Sequence, residues 1–150
     1  MAIGASCAGA EPVCSDTAAF LRTPDGTAMR FTVEIADDLA ERAMGLMNRK
    51  HMARSSGMLF IYPEPKRANF WMKDTLIPLD MIFFDQTGRV TQVHDMAVPL
   101  DRSGIDGGEG VKFVLEINGG LAKTLGIVPG SALLHSAVDP ALAVWPCPAT

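Results

Sequence analysis

Tyrosine occurs once in this chain of 150 residues, and histidine and cysteine occur three times each. That scarcity removes most metal centres. His51, His94 and His135 are singletons, so no pair has the spacing of a zinc-binding helix, and no CxxC pair exists. Basic residues are few and scattered: 13 Lys and Arg against 17 Asp and Glu leave a net charge of −4. Without a concentrated Lys/Arg footprint, nucleic acid is not an expected partner. The apolar runs are short and interrupted, which excludes a membrane-spanning helix. There is no GxSxG elbow and no cysteine–histidine arrangement in a core-like segment, so the usual signatures of a nucleophilic enzyme are missing.

What is present describes one compact domain. Hydrophobic residues make up 48% and charged residues 20%, in a chain long enough to bury a sizeable core. No internal repeat or second domain is visible. Residues 1–25 read as a flexible tail or signal remnant, 26–138 as a single β-rich domain and 139–150 as a C-terminal tail.

Cys7, Cys14 and Cys147 all stand near the ends, among Ala, Gly, Pro and Ser. Such positions suit staples for loose tails better than core packing. A Cys14–Cys147 bond would close a loop of over a hundred residues, worth ~4–5 kcal/mol by chain entropy. It would persist only in an oxidising compartment; the alternative is three inert thiols. The opening MAIGASCAGA has the small residues of a signal-peptide end but neither a basic start nor a long apolar run. The expectation is an exported protein, periplasmic or held outside the cytoplasm by a lipid on Cys7.

Phe31, Val33 and Ile35 alternate with polar residues as a half-buried strand. Asp38 and Glu41 have capping-box spacing, and Leu39, Ala43, Leu46 and Met47 share a helical face, predicting a short amphipathic helix over about 38–48. Residues 57–62 form an apolar run that Pro63 and Pro65 should end, with a separate strand over 68–72. Two apolar stretches around Asp85-Gln86-Thr87-Gly88 read as a β-hairpin, and residues 103–110 as a mobile glycine-rich loop. A strand from Val111 to Ile117, a short helix at about 120–125 and a last strand near 131–135 complete the pattern. The expected fold is mainly β: a sandwich or partly closed barrel with two small helices.

The segments Val33-Glu34-Ile35-Ala36, Glu41-Arg42-Ala43-Met44-Gly45-Leu46-Met47, Gly57-Met58-Leu59-Phe60, Phe70-Trp71-Met72-Lys73 with Thr75, Ile77-Pro78-Leu79-Asp80, Val114-Leu115-Glu116 and Leu125-Gly126 occur in that order. Together they resemble the prokaryotic domain-of-unknown-function family 192, over residues 31 to about 134. The resemblance implies a β-sandwich or barrel, often exported, and carries no established activity. In that family asparagine usually follows the lysine of the Trp-Met-Lys motif; here it is Asp74, which adds a negative charge beside Lys73.

Charged residues inside these apolar motifs need partners, because burying charge costs several kcal/mol otherwise. The site expectation brings Lys73, Asp74, Asp80 and Glu116 together at one end of the barrel, with Trp71 and Arg42 at its edge. An aromatic wall beside fixed charges suits a small polar ligand, or the end of an envelope peptide or glycan, with no cofactor and no metal. Three other readings are open. Lys73–Asp80 could be a structural ion pair. Asp80 and Glu116 could act as paired acid and base in a cell-envelope hydrolase or transferase. Met44, Met47, Met52 and Met58 with His51 could hold Cu(I), although methionine more often fills core space.

Overall fold

The computed structural model describes residues 12–149, so the expectations for Cys7 and the signal remnant lie outside the described residues. Seven strands are present: β1 (Ala18–Arg22), β2 (Ala28–Ala36), β3 (Ser56–Phe70), β4 (Leu79–Asp85), β5 (Val90–Ala97), β6 (Ile105–Asn118) and β7 (Ala132–Leu134). Two short helices, α1 (Leu39–Met44) and α2 (Leu121–Leu125), lie between β2 and β3 and between β6 and β7. The strands form a single sheet in the order β5-β4-β6-β3-β2-β1-β7. Every pair is antiparallel except β2–β3, whose crossover carries α1.

The sheet curls until its two edges touch at one end. Arg89 pairs with Ala132, Val90 N–H donates to the Ser131 carbonyl (2.8 Å), and Leu133 N–H donates to the Gly88 carbonyl (2.8 Å). The result is a half-barrel, which agrees with the mainly-β, partly closed expectation. Both faces of the sheet are apolar. One core, inside the curl, gathers Leu21, Phe31, Leu59, Ile82, Phe84, Phe113, Leu115, Ile117 and Leu133. A second core on the other face holds Leu46, Met58, Phe60, Met72, Met81, Phe83 and Val114. Strand β4 is buried on both sides for that reason, and its residues alternate between the two cores.

Four local expectations are corrected. The N-terminal tail ends earlier than residue 25, because β1 pairs with both β2 and β7 and buries Ala18, Ala19 and Leu21. Pro63 and Pro65 do not end β3; the strand continues through them with register shifts against β6 between Ile61 and Ala68, where the lost N–H donors fall. Residues 105–110 are strand, not loop. A Cβ on Gly107 would lie 2.3 Å from the Phe83 ring, so glycine there permits close packing instead of mobility. Helix α1 is shorter than 38–48 and buries none of its residues: Leu39 is 82% and Met44 58% exposed. Its cap is as the spacing implies, with Asp38 accepting from Glu41 N–H (2.7 Å), while Glu41 accepts from Asp37 N–H (3.1 Å). Gly45 then stops the helix at φ +50°, and only the following Leu46 inserts into the core.

Both ends of the described chain are tied down. Cys14 and Cys147 form a disulfide, as expected from their positions. Val138 is buried, Val144 N–H donates to the Thr87 carbonyl (2.9 Å), and Arg22 lies 4.5 Å over the Trp145 ring.

Candidate functional site

The two acids expected to form a pair lie on opposite faces of the sheet. On β6, Ile117 stands opposite Asp80 and Glu116 stands opposite Met81. Neighbouring residues of a strand point to opposite sides, so this register sends Asp80 towards the inner core and Glu116 towards the outer one. Asp80 is fully buried and accepts three backbone hydrogen bonds: Oδ1 accepts from Met96 N–H (2.8 Å) and Gly120 N–H (3.0 Å), and Oδ2 from Ala122 N–H (2.8 Å). It holds the start of α2 against the end of β5. No Lys73–Asp80 ion pair occurs among the described residues. The expected convergence of Lys73, Asp80 and Glu116 is therefore corrected: Asp80 serves the fold, through backbone amides that a sequence pattern does not display.

Glu116 has the opposite surroundings. It is 4% exposed, with Met58 of β3 and Met81 of β4 directly across from it. Its carboxyl makes no hydrogen bond to any described residue, yet no fully sealed side-chain polar atom lacks a partner. The carboxyl is thus not fully sealed, and Glu116 lines a space beside it. That space is a narrow cleft of about 40 Å³ lined by Arg42, Leu46, Phe60, Phe70, Trp71, Thr75 and Glu116. Burial pushes the Glu116 pKa up to about 8, so the group is a neutral carboxylic acid at neutral pH.

The cleft is lined by Trp71, Arg42 and Glu116, which come from different elements rather than a single turn. Trp71, 46% exposed, stands at the mouth. Behind it Phe70 is locked edge-on against Phe60 (5.2 Å) and Phe83 (5.9 Å), which makes that wall rigid. Arg42 Nη1 donates to the carbonyls of Asp37 (2.6 Å) and Ile61 (3.1 Å), and its guanidinium lies 5.6 Å over Tyr62. Lys73 lies 5.4 Å over the Trp71 ring at the rim. None of these cations has a carboxylate partner among the described residues.

Asp74 is exposed and contributes backbone rather than charge. It adopts φ +53°, and its carbonyl accepts from Asn48 N–H (2.8 Å). Asn and Asp tolerate that left-handed conformation better than other non-glycine residues, which gives a physical reason for either at this position.

The expected site did not include Leu46, Phe60, Phe70 and Thr75, which line the cleft, or Arg102, 5.9 Å over Trp71. Arg102 comes from the link before β6, tied to the Trp71 turn by Met72 N–H donating to the Asp101 carbonyl (2.8 Å). That long-range contact leaves no local signal. A second hollow of about 320 Å³ shares Phe70 and Trp71 with the cleft and adds Asn69, Arg102 and Gly104. A hollow of about 460 Å³ between β5 and α2 carries only Asp95 and Lys123 as charges, both exposed and 4.0 Å apart.

Residues 20–135 match the profile of DUF192, described as Uncharacterized ACR. The chain belongs to the DUF192 family. A solved structure from Sinorhizobium meliloti 1021, provisionally described as a transcription regulator, is 40% identical over 83% of this chain and 96% of that one, with a TM-score of 0.77. A protein of unknown function from Novosphingobium aromaticivorans DSM 12444 is 37% identical over 84% and 93% of the two chains, with a TM-score of 0.75. No curated protein matches the chain. In this DUF192 protein the Trp-Met-Lys segment divides its work. Trp71 faces the cleft mouth, Met72 is buried in the outer core, and Lys73 caps the indole.

Proposed function

We propose that this DUF192 protein is a binding domain that holds a small polar ligand, or the end of an envelope peptide or glycan, in the cleft beneath Trp71. The observation that carries this reading is the Glu116 carboxyl, nearly buried, without a protein partner and open to the cleft. A buried polar group left unpaired costs about 1–3 kcal/mol, and a ligand that supplies its hydrogen bonds recovers that cost on binding. The hydrolase reading loses support, since Asp80, its second carboxylate, lies across the sheet and is held by three backbone amides. The copper reading loses support too, because Met58 is buried in the outer core and Met52 packs against it.

The Cys14–Cys147 bond supports a site of action in an oxidising compartment outside the cytoplasm. No helix among the described residues is long and apolar enough to cross a membrane. Regulation of transcription, suggested by the name given to the Sinorhizobium relative, finds little support here. The net charge is −4 and the helices of six and five residues are short for reading a DNA groove.

The test is a ligand panel of sugars, short peptides and small carboxylates, followed by amide NMR shifts at Thr75, Trp71 and Glu116. The reading expects one class to move those resonances in the wild type and not in Trp71→Ala. A panel that moves none of them, or moves them equally in Trp71→Ala, refutes it.

A further inference from the structure

The cleft beside Glu116, about 40 Å³, holds little more than one water, so the body of any ligand must lie at its mouth. There the adjoining hollow of about 320 Å³ is lined by Asn69, Phe70, Trp71, Arg102 and Gly104. Its charge is of one sign. The Arg102 guanidinium lies 5.9 Å and the Lys73 ammonium 5.4 Å from the centre of the Trp71 ring, and neither forms an ion pair among the described residues. An indole face attracts a cation but accepts few of its N–H groups, so both side chains keep donors for another partner. The acids next to them in sequence do not fill that place: Asp101 turns its Oδ1 to Ser103 N–H (2.8 Å), and Asp74 makes no ion pair among the described residues. The Asn69 side-chain amide adds a neutral donor. It lies close against Gly104, where a Cβ would stand 3.1 Å from Asn69 Oδ1. Backbone, rather than charge, holds the two walls together: Met72 N–H donates to the Asp101 carbonyl (2.8 Å) and Leu100 N–H to the Thr75 carbonyl (3.0 Å). Leu100 takes φ +67°, a costly conformation for a bulky residue, although its side chain is 58% exposed. The strain therefore serves the path of the link that carries Arg102 to the indole, and not the packing of Leu100.

We propose that the ligand carries an oxyanion, a carboxylate or a phosphate, which seats on Arg102 and Asn69 in this hollow with Lys73 as the second positive charge, while the rest of the ligand lies on Trp71. This rests on the binding reading above and gives the ligand its charge. A guanidinium presents two parallel N–H groups to either oxyanion, which fixes its orientation as well as its position. The chain as a whole carries −4, so an anion gains nothing from the overall field, and a preference for it has to arise locally.

Ligand pairs that differ only in the anion test the proposal: methyl glucuronoside against methyl glucoside, glucose 6-phosphate against glucose, and acetyl-trialanine acid against its amide. Binding is read by Trp fluorescence in a Trp145→Phe background and by amide NMR shifts at Asn69, Trp71 and Arg102. At least one acid is expected to bind about fivefold or more tightly than its neutral twin, as two partly exposed charge pairs allow. The preference should shrink as salt rises from about 20 mM to about 300 mM, because these charges are open to screening. It should fall in Arg102→Gln and vanish in Arg102→Gln/Lys73→Gln, with the affinity of the neutral twin unchanged. Which pair shows the preference tells carboxylate from phosphate. Equal binding of acid and neutral twin in every pair overturns the proposal, and so does a preference that survives in the double variant. If the neutral twins then bind and are lost in Trp71→Ala, the wider binding reading stands; if nothing binds, both fall.

Discussion

Glu116→Gln should change how stability depends on pH more than it changes stability itself. In the fold the Glu116 pKa rises from its ordinary 4.5 to about 8 through burial alone. The raised value means that the native state holds a proton that the unfolded chain releases. The stabilising contribution is thus complete below about 4.5 and is lost as pH rises through about 8. Between those limits unfolding releases one proton, a slope of about 1.4 kcal/mol per pH unit, or ~3 kcal/mol lost by pH 7. The carboxyl touches solvent through the cleft, so ~2 kcal/mol is the more conservative figure. Glutamine has the same shape and does not titrate. Urea unfolding of both proteins from about pH 5 to pH 9 should show the variant gaining on the wild type by ~3–4 kcal/mol, with the gain levelling off past pH 8. Other titrating groups cancel in the difference. His135 is one of them: burial lowers its pKa, so its contribution has the opposite sign, present above its ordinary value and lost as pH falls. Parallel curves within about 0.5 kcal/mol would refute the reasoning. Glu116 would then ionise freely in the fold, and its role as a neutral donor would go with it.

Asp80→Ala should destabilise the fold by ~3–5 kcal/mol, because three backbone N–H groups lose a charged acceptor. Hydrogen exchange should rise first at Met96, Gly120 and Ala122; unchanged protection there would sink the assignment. Reducing Cys14–Cys147, which are 133 residues apart, should lower stability by up to about 5 kcal/mol. Equilibrium denaturation with and without reductant measures this, and coincident midpoints would contradict it. Gly57→Ala should cost ~1–3 kcal/mol, because its Cβ would lie 2.6 Å from the Glu116 carbonyl oxygen on the neighbouring strand. A thermal midpoint equal to that of the wild type would show that the strands can separate enough to admit a methyl.

The sequence carried the fold class, the hairpin and the disulfide because each rests on a local pattern or a simple count. Val33 and Phe113 alternate with polar or oppositely buried neighbours, and the terminal cysteines had few roles open to them. Where the reading went astray, a tertiary contact had overridden a local rule. Gly107 looks like loop punctuation until Phe83 is seen pressing on it. Pro63 and Pro65 look like strand terminators until β6 is seen shifting its register past them. The stripe on α1 looks like a buried face, but six residues at the rim of a cleft reach no core, and Leu46 supplies the anchor after the helix has ended. For the site, Trp71, Arg42 and Glu116 were legible as charges and aromatics out of place in apolar motifs. That Asp80 would turn to the other face and be held by three backbone amides was not legible.

The two buried acids show how partners, rather than burial, separate a structural group from a binding one. Asp80 and Glu116 are both almost inaccessible and sit in paired strands one register step apart. Asp80 accepts hydrogen bonds from three backbone N–H groups; removing it would orphan them, so its place in the fold is self-explanatory. Glu116 faces methionines and phenylalanines and is stabilised by none of them. A leucine or methionine there would pack against Met58 and Met81 without the desolvation penalty, and the fold would gain. An acid that weakens its own fold at neutral pH makes physical sense if something outside the chain completes its hydrogen bonds. A ligand present at a hundred times its Kd returns about 2.7 kcal/mol to the folded state. That is close to what keeping Glu116 protonated in the fold costs by pH 7, and the protein would then be most stable with its cleft filled.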